Sequence, residues 1–138
     1  MKLALLLLAL TIPALRAAPQ AQPQPQQLAE RAAAAWLAKL DAANYGDTWQ
    51  DAAQIFKDHV TRKQWESAAR ATRAPLGALQ SRKLKSATYK TSLPGAPDSE
   101  YVVLQYDSSF EHKQSAIETV TPTLDKDGAW RVSGYFIR

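Results

Sequence analysis

Glu118 has the strongest claim to chemistry in this chain, because counting by twos along a β-prone segment groups it with Val120 and Leu124 rather than with Thr119 and Thr121. A carboxylate held on such an inner face would have a raised pKa and could exchange a proton with a substrate, as in an isomerase or a dehydratase. The opposite register, with Ile117 inward and Glu118 solvated, satisfies the same segment and avoids burying an unpaired carboxylate. Tyr106, Arg131 and Tyr135 lie on neighbouring segments and could supply a ligand with hydrogen-bonding partners, although aromatic residues on strands ordinarily fill a core. Trp36, Trp49, Trp65 and Trp130 are likewise read as core packing rather than as a stacking platform.

Other chemistry finds little support. The two histidines, His59 and His112, have no second His or acidic residue at ligand spacing, so no metal site is expected. Asp125-Lys126-Asp127-Gly128 resembles the opening of a calcium loop but lacks the later ligands and the closing Glu, and it reads as a turn. Phosphate cradle, nucleophile elbow and dinucleotide fingerprint are all missing, and no cofactor is expected. Cysteine is absent, which excludes disulfides, thiol chemistry and a lipidated cysteine anchor.

Charge is unevenly spread. Lys57 to Lys90 holds nine basic and two acidic residues, whereas Asp98 to Asp127 holds seven acidic residues and two lysines. Cross-strand ion pairs and solvated faces account for most of this. The functional alternative is a basic face centred on Arg82, Lys83 and Lys85 that meets an anionic envelope component or the acidic face of a second copy. Aromatic residues are not interleaved there, so nucleic acid is not an expected partner.

The elements that must position these residues begin behind an export signal. Met1 to Ala17 has an early Lys2, an apolar run from Leu3 to Ile12 and a small-residue end, with cleavage expected after Ala17. The run is well short of the roughly 18 residues that a membrane span needs. The net charge of +4 includes Lys2 and Arg16, so the mature chain has fifteen basic residues against thirteen acidic ones, or +2. Ala18 to Gln27 reads as a disordered Pro/Gln-rich spacer, followed by one domain over residues 28–138.

Within that domain Leu28, Ala32, Ala35, Trp36, Leu40 and Ala43 predict a first helix ending near Asn44 and Gly46. Asp47 is positioned to cap a second helix carrying Trp49, Ala52, Ala53, Phe56 and Val60 and stopping near His59. Thr61 and Gln64 form a capping box for a third, with Val60 and Trp65 at the staple positions, ending before Pro75 and Gly77. Four β-prone segments follow, Arg82–Thr91, Tyr101–Phe110, Ser115–Leu124 and Trp130–Ile137, separated by turn chemistry. The expected fold is α+β, three helices covering the apolar face of a curved four-stranded antiparallel meander. Pro122 disagrees with a central strand and predicts a bulge or a ladder end.

Arg73-Ala74-Pro75-Leu76-Gly77, Leu93-Pro94-Gly95, Glu100-Tyr101-Val102-Val103, Glu118-Thr119-Val120-Thr121 and Asp127 to Tyr135 resemble domain-of-unknown-function family 4019, small exported bacterial proteins. The resemblance runs from about Ala32 to the C-terminus. It implies a bacterial source and a cone-like fold similar to the nuclear-transport-factor-2-like or cystatin-like folds, and it implies no activity. The sequence therefore points to a noncatalytic periplasmic or secreted module binding a small ligand or an envelope protein. An acid/base enzyme using Glu118 and a homodimer joined through the sheet face are the alternatives.

Overall fold

The computed structural model describes residues 21–138, and the export-signal and cleavage expectations for Met1 to Ala17 lie outside them. Four helices precede four strands: α1 (Pro25–Asp41), α2 (Tyr45–Gln50), α3 (Gln54–His59), α4 (Arg62–Arg73), then β1 (Leu79–Lys90), β2 (Tyr101–Phe110), β3 (Lys113–Leu124) and β4 (Trp130–Ile137). The strands form one antiparallel meander in the order β1-β2-β3-β4. This is the expected α+β class, with one helix more than the sequence suggested.

The first helix starts inside the Pro/Gln stretch. Gln24 and Gln27 form a capping box and Pro25 occupies the first helical turn, where its missing N–H costs nothing. Its buried stripe is Ala29, Ala33, Trp36, Leu37 and Leu40, so the alanine pattern taken from Ala32 and Ala35 was rotated. Alanine suits either face of a helix and gives no direction by itself. Leu37 and Leu40 settle the face by packing on the sheet.

The expected second helix is two. Its break falls at Asp51–Ala53, where Ala52 and Ala53 are buried and the Ala53 N–H donates to the Val132 carbonyl at 2.8 Å. That bond covers the exposed ladder of edge strand β4, and a continuous helix could not make it. Asp47 sits within α2 rather than capping it. Its neighbour Thr48 is fully buried: its hydroxyl donates to the Tyr45 carbonyl at 2.7 Å and accepts from Trp65 Nε1 at 2.8 Å, while its own carbonyl accepts from Trp36 Nε1 at 2.8 Å. One threonine thus ties α1, α2 and α4 together and satisfies two indoles that burial would otherwise strand.

Helix α4 begins at the Thr61–Gln64 box, both reciprocal bonds being present, and passes into a 3₁₀ turn through Pro75 that Gly77 closes at φ +72°. Along β2, Val102, Leu104, Tyr106, Ser108 and Phe110 are buried on the face beneath the helices. Opposite β4 the register shifts between Thr121 and Pro122, leaving Ser133 as the extra residue. This is the bulge that Pro122 demanded, and the Ser133 hydroxyl bonds the Thr121 carbonyl at 2.7 Å. The same ladder pairs Glu118 with Ile137 and Val120 with Tyr135, which turns Glu118 toward the helices.

Candidate functional site

Glu118 is fully buried on the inner face, so the register with Ile117 inward is not the one adopted. It is not alone there. Arg82 on β1 donates through Nε to Oε1 at 2.7 Å and through Nη2 to Oε2 at 3.1 Å; Ser108 on β2 donates to Oε1 at 2.6 Å and Tyr135 on β4 to Oε2 at 2.6 Å. Asp41, at the end of α1, accepts from Arg82 at 2.7 and 2.9 Å and from Arg73 of α4 at 2.7 Å. Arg73 Nη1 lies 4.0 Å from Glu118 Oε2 and its guanidinium sits 4.8 Å from the centre of the Phe110 ring. Arg73 Nε and Nη1 have no hydrogen-bond partner, and the aromatic face offsets part of that deficit electrostatically. Two helices and all four strands meet in this cluster, which holds two positive and two negative side chains.

The cluster corrects the expected proton chemistry. Burial pushes the Glu118 carboxyl up, but hydrogen bonds from Arg82, Ser108 and Tyr135, with the Arg82 charge, outweigh it and hold the group below the usual carboxylate range. Asp41 follows the same balance: burial raises it, and Arg82 and Arg73 bring it down. The Tyr135 phenol is raised by burial and by the Glu118 charge, and Tyr106 is pushed up to about 12, chiefly by burial. Glu118 is therefore an ionised acceptor with both oxygens engaged, not a protonated acid. The space beside it is filled as well, since the Trp36 ring lies 5.5 Å from Tyr135 and 5.8 Å from Trp65.

The opening in the molecule lies elsewhere. A cleft of about 1100 Å³ runs between α1, the α2–α3 segment, the loop before β2 and the β3–β4 turn. Ala35, Ile55, Leu124 and Trp130 contribute apolar lining, and Asp58 and Asp98 contribute carboxylates. The turn wall is cross-linked by hydrogen bonds and ion pairs. Gly128 at φ +83° donates to the Asp125 carbonyl at 2.9 Å, and Arg131 is clamped by Asp125 at 2.9 Å and by Asp127 at 2.9 and 2.8 Å. Those bonds bring Asp127 down to about 2. The stretch that resembled a calcium loop thus holds an arginine, as a turn.

A family model of proteins of unknown function, DUF4019, matches residues 32–135. The chain belongs to that family. No curated protein matches it. In this DUF4019 domain the match spans α1 from its second turn through β4 to Tyr135, and so includes both the charged cluster and the cleft.

The DUF4019 domain scatters the residues singled out by sequence. Tyr135 joins Glu118, Tyr106 stands opposite it on β2, and Arg131 belongs to the cleft, so the three candidate ligand residues do not converge. Arg82 leaves the expected basic face, because its guanidinium is turned inward onto Glu118 and Asp41, with only 13% of its side chain exposed. Lys83 and Lys85 stay on the surface of edge strand β1, Lys85 4.0 Å from Asp107. Lysines there also discourage strand addition from another chain. Asp41, Arg73 and Ser108 were not singled out. Their signal was present: Ser108 falls on the inward period of β2, and Arg73 continues the Trp65–Ala69 stripe of α4. A polar residue on an apolar stripe marks a buried partner to be found. Among the described residues no three His, Asp or Glu side chains converge as metal ligands, and no helix is long and apolar enough to cross a membrane.

Proposed function

We propose that this chain is an exported, noncatalytic binding module whose ligand or envelope partner enters the cleft between α1, α3 and the β3–β4 turn. Export rests on the residue pattern of Met1 to Ala17. The observation that carries the binding reading is the contrast between the closely packed charged cluster and an open cleft of about 1100 Å³, a size suited to a small molecule or a short peptide segment. Glu118, the best acid/base candidate, has both oxygens engaged by Arg82, Ser108 and Tyr135, which removes the support for the enzyme reading that rested on it.

The test is a thermal-shift screen of envelope metabolites and extracts against the parent protein and Ala35→Arg, a substitution on the exposed, cleft-lining side of α1. Saturable binding to the parent that Ala35→Arg abolishes, with its own unfolding midpoint unchanged, is the expected result. Turnover of a compound by a protein that binds nothing in the cleft would overturn the reading.

A homodimer through the outer sheet face is the second reading, favoured by Phe136, which is 56% exposed there opposite Thr119. Sedimentation of the parent and of Phe136→Ser decides it: a dimer requires a larger species that the substitution splits.

A further inference from the structure

We infer that the cleft selects an organic cation with an apolar body, an amine or guanidinium attached to a hydrophobic group; this rests on the binding reading above and names its ligand class. The charge of the cleft runs against the charge of the molecule. Its lining includes five aspartates (Asp51, Asp58, Asp98, Asp125 and Asp127) and three basic residues (Lys57, Lys126 and Arg131), a net −2. The remaining described residues hold eight acidic and twelve basic side chains, a net +4. A concave site of one sign, set in a surface of the other, focuses counter-ions at that site.

Charged groups of both signs in the lining are partly engaged: Asp51 is paired with Lys39, which lies outside the lining, and of the three basic groups Lys126 alone has no partner among the described residues. Arg131 is bound by two carboxylates. Lys57 Nζ donates to the Gln50 carbonyl at 3.2 Å and stands 5.9 Å from the Trp49 ring. Asp58, in contrast, accepts only the Gln54 amide, at 2.7 Å, and Asp98 has no hydrogen-bond or ion partner among the described residues. These two carboxylates, one on α3 and one on the loop before β2, flank apolar lining from Ile55, Leu124 and Trp130. Aromatic and aliphatic surface beside two open carboxylates suits a cation that keeps an apolar body, whereas an anion would meet those two carboxylates against the single open ammonium of Lys126. A fully hydrated inorganic cation gains nothing from the apolar part.

The shared chemistry has two sources, a free small amine or a basic side chain on a peptide, and the experiment separates them. The Trp130 indole resonance is followed by NMR at low salt during titration with phenethylamine, its neutral N-acetyl derivative, 3-phenylpropanoate, and a capped peptide alternating leucine and arginine. Phenethylamine or the peptide is expected to shift Trp130 saturably, with a Kd that rises at least tenfold in Asp58→Asn/Asp98→Asn and rises with salt. Binding by the peptide alone identifies a protein segment as the source, and binding by the amine identifies a small molecule. Equal binding of the neutral or anionic probe overturns the cation inference while leaving the cleft as a binding site. No response to any probe also overturns it, and the Ala35→Arg screen then decides the binding reading separately.

Discussion

The buried charged cluster and the cleft use similar residues for opposite ends. In the cluster, Asp41, Arg73, Arg82 and Glu118 neutralise one another, and Ser108 and Tyr135 add the bonds that a buried carboxylate requires. At the cleft, charged side chains stand on helix and loop surfaces where water satisfies them, and Asp58 and Asp98 remain open to a ligand. A buried charge fully engaged by its neighbours holds elements in place. A charge at the edge of an open, partly apolar concavity is available for recognition. Burial alone therefore does not separate a structural carboxylate from an accessible one; the number of partners does.

The largest effect should come from Glu118→Ala, which leaves Arg82 facing a buried gap and should cost about 3–5 kcal/mol in urea unfolding. Asp58→Asn/Asp98→Asn should stay within about 0.5 kcal/mol of the parent in the same experiment. Equal stabilities for the two variants would erase the distinction between cluster and cleft.

Acid should act on the buried cluster next. Glu118 and Asp41 lie below their ordinary values of 4.5 and 3.8, so their contribution is complete above those values and is lost as the pH falls through the lower folded ones. Unfolding free energy followed from pH 6 to pH 2 should decline below about pH 4.5, less steeply in Glu118→Ala. An identical slope in the variant would mean that other carboxylates carry the acid response.

Trp65→Phe, which removes the donor to the Thr48 hydroxyl, should cost about 1–3 kcal/mol. Among the substitutions that remove a structural tie, Thr61→Ala should cost least, about 1 kcal/mol through the lost α4 cap. A cost from Thr61→Ala as large as that from Glu118→Ala would show that the buried charged cluster is not the dominant polar tie.

Much of this was legible in residue order. The Thr61–Gln64 box, the inward period of β2, the turn at Asp125–Gly128 and the bulge required by Pro122 each depend on near neighbours in sequence, and each is present. The start of α1 and the division of α2 from α3 were missed for different reasons. Proline reads as a breaker but is at ease in a first turn, and the α2–α3 break is fixed by a bond from Ala53 to a strand 79 positions further on. Local propensity cannot register such a bond.

By itself the sequence determined the family and the helices-then-meander order, and it left Glu118 between two registers, one inward and one solvated. Only the tertiary structure decided what that carboxylate does. Arg82 and Tyr135 lie 36 and 17 positions away from it, and their approach, set by strand pairing and helix packing, turned a candidate acid into an ionised acceptor. The same packing set Trp36 and Trp65 together against the sheet and left a cleft between α1, α3 and the β3–β4 turn, where residues distant in the chain share one concavity.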